Sequence, residues 1–130
     1  MLEWGNPFPE ASPPSGTAFQ DVQHKLKNVL KIYHTDEAFA ALLADGSIVC
    51  WGDGSAADPS ESVYELLVNV QSIHSTSGAF AAVVGTGIDS SVITWGRDDH
   101  GGDSSSVKHL LKNVLMVKGN ALAFAALRGK

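Results

Sequence analysis

The sequence predicts a mainly β fold with short helices, built from three pseudo-symmetric helix-plus-three-strand repeats. Three observations carry this expectation: a motif that recurs three times, a Trp-Gly pair belonging to each copy, and an Asp-Gly pair between two apolar runs. The copies are anchored on Val22, Val63 and Val107, at intervals of 41 and then 44 residues. Each anchor is followed by Leu at +4 (Leu26, Leu67, Leu111), Asn at +6 (Asn28, Asn69, Asn113) and Val at +7 (Val29, Val70, Val114). A β-branched residue stands at +10 (Ile32, Ile73, Val117), and Ala-Phe-Ala-Ala begins at +16, around Phe39, Phe80 and Phe124. A period of this length marks a repeat architecture in which neighbouring units bury one another's apolar faces.

Within a unit, Val63, Leu66, Leu67 and Val70 are apolar at i, i+3, i+4 and i+7, the stripe of an amphipathic helix. Asp58-Pro59 reads as its N-cap and first helical position, and Thr17 with Gln20 as a capping box for the first copy. The Asn-Val-x-x-Ile segment predicts the first strand and Ala-Phe-Ala-Ala-Leu the second, with the alanines permitting close packing and the phenylalanine filling a core layer. Asp45-Gly46 predicts a tight hairpin in which both turn residues take positive φ. Trp51-Gly52 and Trp95-Gly96 end the third strands, and Trp4-Gly5 is a third such strand at the start of the chain.

The units run approximately 6–52, 53–96 and 97–130 plus 1–5, in a single repeat domain. Extra residues sit in the Pro-rich insertion 6–17 and near 85–91, two turn-like places, as expected when loops vary around a repeated framework. The third copy has no Trp-Gly strand after Arg128-Gly129-Lys130. Residues 1–5 are therefore expected to complete it and close the three units about a threefold axis, removing an open edge. The rival arrangement is an open arc cut from a longer array.

Residues 38–52, Ala-Phe-Ala-Ala-Leu-Leu-Ala-Asp-Gly-Ser-Ile-Val-Cys-Trp-Gly, resemble the hairpin of the regulator-of-chromosome-condensation repeat family. Segments 123–127, 91–96 and 101–105 are similar to a short algal variant of that family, often labelled HERC-type ubiquitin-ligase-like. The resemblance covers nearly the whole chain outside the Pro-rich insertion. It implies a repeat fold and protein–protein binding, and its algal relatives imply a photosynthetic membrane complex as one host. Three short repeats exclude the seven-bladed propeller of the family for this chain. No ubiquitin-ligase catalytic domain is present, and no residue matches a role in nucleotide exchange.

Composition narrows the function classes. The chain has 130 residues, 44% hydrophobic and 18% charged, which suits one globular domain. No apolar run approaches the ~18 residues of a spanning helix, and residues 1–16 do not read as a targeting peptide. The location is left unassigned, with a plastid open if the chain is a mature form. A net charge of −5 argues against nucleic acid as a partner. One cysteine, Cys50, excludes an internal disulfide and a cysteine-cluster metal site. The histidines His24, His34, His74, His100 and His109 share no ligand spacing. Asp98, Asp99 and Asp103 lack the spacing of an EF-hand loop. No convergent acid, base or nucleophile is found, so no catalytic residue, cofactor or metal is assigned.

The expected function is a non-catalytic protein–protein interaction or scaffold module, an accessory subunit of a larger complex, whose partners are other protein subunits. The alternative is a lectin-like carbohydrate-binding module using repeated Trp-Gly and Asp-Gly loops, against the reading of Trp4, Trp51, Trp95, Phe39, Phe80 and Phe124 as repeat core. Partner contact is assigned to Asn6, Pro7, Phe8, Pro9, Pro13 and Pro14, where proline pre-orders an extended segment. A tolerated insertion is the other reading of that loop. Partner contact is also assigned to Asp53, Asp58, Glu61 and Glu65, since residues 52–94 carry no Lys or Arg and could dock a basic partner. The plainer reading of those acids is a solvated face.

Overall fold

The computed structural model describes residues 16–17, 19–105 and 110–129. It is mainly β: three antiparallel sheets with short helices between them. Unit 1 carries α1 (Phe19–Val22), β2 (Val29–His34), β3 (Ala38–Leu43) and β4 (Ile48–Asp53), with the two-residue β1 (Gly16–Thr17) on the outer edge of β4. Unit 2 carries α2 (Glu61–Leu66), β5 (Val70–Ser75), β6 (Ala79–Val84) and β7 (Ser91–Gly96). Unit 3 shows β8 (Val114–Gly119) and β9 (Phe124–Arg128), which among the described residues pair only with each other. Trp4-Gly5 and the insertion with Asn6, Pro7, Phe8, Pro9, Pro13 and Pro14 lie outside the described residues. Among the described residues no strand pairing closes unit 3 onto unit 1.

The repeated asparagine has a backbone cause. Asn28, Asn69 and Asn113 have φ of 57°, 53° and 51°, the left-handed region that asparagine enters more cheaply than most residues. That conformation aims each carbonyl at the far end of its own hairpin, where it accepts from Ala44, Gly85 and Gly129 N–H. Two residues on, every unit has the same bulge, between Val29 and Lys31, Val70 and Ser72, and Val114 and Met116. Asn69→Gly is expected to leave stability near the parent's, whereas Asn69→Ala costs about 1–2 kcal/mol. Thermal denaturation of the pair reads this as a gap of roughly 3–8 °C.

The turn after the first strand of each unit is also repeated. Thr35 Oγ1 accepts from Glu37 and Ala38 N–H, Thr76 Oγ1 from Gly78 and Ala79 N–H, and Asn120 Oδ1 from Leu122 and Ala123 N–H. These turns then bond to one another between units: Asp36 N–H donates to Ser77 carbonyl at 3.0 Å and Ser77 N–H to Ala121 carbonyl at 3.0 Å. Further links join the hairpin end of one unit to the first strand of the next, Val70 N–H to Gly46 carbonyl and Asn113 N–H to Ser90 carbonyl.

Three expectations need correction. The hairpin at Asp45-Gly46 is not a turn with two positive φ values: Gly46 has φ 85°, and Asp45 is not among the positive-φ residues. Gly46 N–H closes a turn onto Leu43 carbonyl, and Asp45 instead accepts Ser47 N–H at 3.0 Å, so a type I turn followed by a left-handed glycine bulge joins the strands. Asp58 does not cap α2. Ser60 does, its hydroxyl accepting Val63 N–H at 3.3 Å, because Asp58 still ends the preceding 3-10 turn 55–57. The backbone of Thr17 pairs with Gly52 in β1, and its capping-box side chain lies outside what the structure describes. The helical stripe is cut short as well, since α2 ends at Leu66, which is exposed, while Leu67 is buried.

Two cores form at the joints between units. At the first, Ala40, Leu42, Ile48 and Cys50 of unit 1 meet Leu67, Val70, Ile73, Phe80 and Trp95 of unit 2. At the second, Ala81, Val83 and Val92 of unit 2 meet Leu111, Val114, Val117 and Phe124 of unit 3. The +10 residues show the consequence: Ile73 and Val117 are 2% and 1% exposed, but Ile32, with no described unit before it, is 40% exposed.

Candidate functional site

Trp95 sits inside the first of these cores, and Trp51 in a separate core of unit 1 with Val22, Leu26, Ala41, Leu43 and Val49. Trp51 is fully buried and stacks on Phe39 with ring centroids 5.3 Å apart, and the tilted ring of Phe19 lies 5.8 Å away. Trp95 lies 5.4 Å from Phe80, and its Nε1–H donates to Ala56 carbonyl at 3.1 Å. Neither indole presents a face on which a sugar ring could stack. Trp4 lies outside the described residues.

Cys50 and Tyr64 form the most perturbed titratable pair. Tyr64 hydroxyl accepts Cys50 N–H at 3.3 Å. Burial pushes the Cys50 thiol up to about 12, and burial with the neighbouring Cys50 raises Tyr64 as well. A thiol held neutral in a core is neither a nucleophile nor a ready metal ligand. In the 98–103 loop, the exposed Asp99 carboxylate is taken up by His100 Nδ1 at 2.6 Å and by Arg97 at 3.4 Å. The hydrogen bond from His100 lowers the Asp99 carboxyl from its ordinary value. Among the described residues no group of three or more His, Cys, Asp or Glu side chains is arranged to hold a metal ion.

His74 lies on β5 between Lys31 of β2 and Lys118 of β8. Burial, then those two cations, lower its pKa from the ordinary value. The folded state therefore binds the proton more weakly than the unfolded chain. Stability present above the unfolded pKa is lost as pH falls through the folded one. The Tm is expected to fall between about pH 7.5 and about pH 5.5, and His74→Gln to flatten that slope. Equal slopes in parent and variant would dismiss His74 as the cause.

Of the predicted acidic contacts, Asp58, Glu61 and Glu65 are exposed and Asp53 is half-buried. None of the four makes an ion pair among the described residues. Glu61 and Glu65 stand on α2, whose Val63 and Leu66 line a groove with Thr94, Gly102 and Ser104. That groove runs into a larger cavity of about 430 Å³ between β7 and β9, which shares Thr94 and Ser104 and is walled by Leu111, Val117, Phe124 and Ala126. Sequence reasoning missed this place. It also missed the exposed apolar set of unit 3, Leu110, Leu115, Met116, Leu122 and Leu127. The signal was present in Leu127, which matches Leu42 and Val83, two residues buried against the next unit or its own third strand.

No helix among the described residues is long and apolar enough to cross a membrane. No protein-family model matches the chain, and no curated protein matches it.

Proposed function

We propose that this chain is a non-catalytic protein–protein interaction module, an accessory subunit of a larger assembly, whose residues 1–5 pair with β9 and close the repeat. The observation that carries the reading is the distribution of apolar surface. Of ten large hydrophobic side chains exposed among the described residues, Leu110, Leu115, Met116, Leu122 and Leu127 stand on unit 3. Apolar side chains gathered on one end unit mark an interaction surface rather than scattered exposure. The partner that fits is a protein face with an apolar centre and basic groups at its rim. Leu115 and Met116 supply the apolar contact, and Glu61 and Glu65 on α2 the complementary charge. Burial of Cys50, Tyr64 and the two described tryptophans supports a structural rather than a chemical use of those groups.

The test is capture of partners at low salt by the parent and by two folded variants, Leu115→Glu/Met116→Glu and Glu61→Lys/Glu65→Lys, checked by circular dichroism. The first is expected to lose a stoichiometric protein that the parent retains. The second is expected to hold it more weakly and with a smaller salt dependence. Retention of every partner by both variants would sink the reading.

A further inference from the structure

We propose that the cavity beside Phe124 is a socket for a tryptophan indole, filled by Trp4 of this same chain when residues 1–5 add to β9. The inference rests on the strand pairing proposed above and names what that pairing buries. The first inter-unit core holds Ile48, Cys50, Ala57, Leu67, Ile73 and Phe80 around Trp95. One repeat of 44 positions further along stand Val92, Thr94, Gly101, Leu111, Val117 and Phe124, and all six line the cavity. The cavity is thus the repeat image of the Trp95 site.

Register points to the same occupant. Phe39 faces Trp51 across β3 and β4, and Phe80 faces Trp95 across β6 and β7. The residue facing Phe124 on the outer edge of β9 is therefore the third tryptophan of the set. The sequence holds three tryptophans, and the one not yet placed is Trp4, followed by Gly5 as its counterparts are followed by Gly52 and Gly96. Met1 and Leu2 repeat the apolar pairs Ile48-Val49 and Val92-Ile93 before it. Space is ample: a cavity of about 150 Å³ already holds a benzene ring, and this one measures about 430 Å³. Reach is sufficient, since residues 6–15 span about 35 Å when extended, against a radius of gyration of about 14 Å for a domain of this length.

Two measurements separate strand pairing from socket filling. The register sets Glu3 opposite Ala125, as Cys50 is opposite Ala40. Glu3→Cys/Ala125→Cys is expected to oxidise to an intramolecular disulfide, while Glu3→Cys/Ala126→Cys does not. Cys50 is buried and stays out of the reaction. Failure of the in-register pair overturns the strand pairing. Covalent dimers assign the strand to a second copy and overturn the own-chain occupant. In the parent protein, the Trp4 indole N–H is expected to exchange with solvent as slowly as those of Trp51 and Trp95, with nuclear Overhauser contacts to the Phe124 ring. A cross-link that forms while Trp4 exchanges freely sinks the socket alone. Trp4→Gly is expected to bind added indole, its Tm rising with indole concentration where the parent's does not. The same response in both proteins counts against the socket.

Discussion

Trp95→Ala is expected to destabilise the protein by about 3–5 kcal/mol, enough to remove much of the net stability of a domain this size. The indole is 4% exposed, packs on Phe80, and donates to Ala56 carbonyl. Truncation leaves a cavity at the first inter-unit joint and a buried carbonyl without its donor, two separate costs. Trp95→Phe keeps ring contact with Phe80 and loses the hydrogen bond, so its cost is expected to be clearly smaller. Urea denaturation of the two variants measures both. Equal midpoints for Trp95→Ala and the parent would mean that this joint contributes nothing to the fold.

The second large effect is at the neighbouring glycine. Gly96 has φ 114°, and a Cβ there would lie 2.6 Å from Ala79 Cα and 2.7 Å from Gly78 carbonyl oxygen. Both are backbone atoms, one in β6 and one in the residue just before it, so no flexible side chain can move aside. Gly96→Ala is expected to cost at least about 2 kcal/mol, from backbone strain and from displacing β6. Gly87→Ala is the control, because Gly87 also has positive φ (59°) but open space around it. Its cost is expected to be that of the backbone conformation alone, about 1 kcal/mol. Indistinguishable melting curves for the two variants would refute the steric argument. Gly52, with φ 116°, repeats the conformation, which is why tryptophan and glycine travel together in this chain.

These positions show which parts of the fold could be read from the sequence. The strands at 29–34, 38–43 and 70–75 follow from the recurring Asn-Val-x-x-β-branched and Ala-Phe-Ala-Ala motifs, because a repeated framework keeps its core residues at fixed positions. Asn28, Asn69 and Asn113 were visible as a pattern, but the reason lay in φ, which a residue type hints at and a backbone decides. Asp45-Gly46 located its turn and misled on its type, since Asp45 can satisfy Ser47 N–H with its side chain and need not enter the left-handed region. The helix stripe through Val63, Leu66, Leu67 and Val70 ran too far: Asn69 takes positive φ and Val70 already belongs to a strand. The cavity beside Phe124 had no signature of its own. Its walls come from β7, the 101–104 loop, Leu111 and β9, and only the packing of one unit on the next brings them together.

The ladder of turns described above, in which Asp36 donates to Ser77 and Ser77 to Ala121, has a thermodynamic consequence. Coupling in such a chain is between nearest neighbours, so Ser77 is secured from both sides and each terminal link from one. The middle unit is therefore expected to open last, at close to the global unfolding free energy. The outer units are expected to fray through smaller fluctuations that leave it intact. Amides at Ile73 and Phe80 would then be the slowest to exchange, and those along β9 among the fastest. When a partner or the chain's own strand covers β9, protection gained there would pass inward by one link at a time rather than to the whole molecule at once.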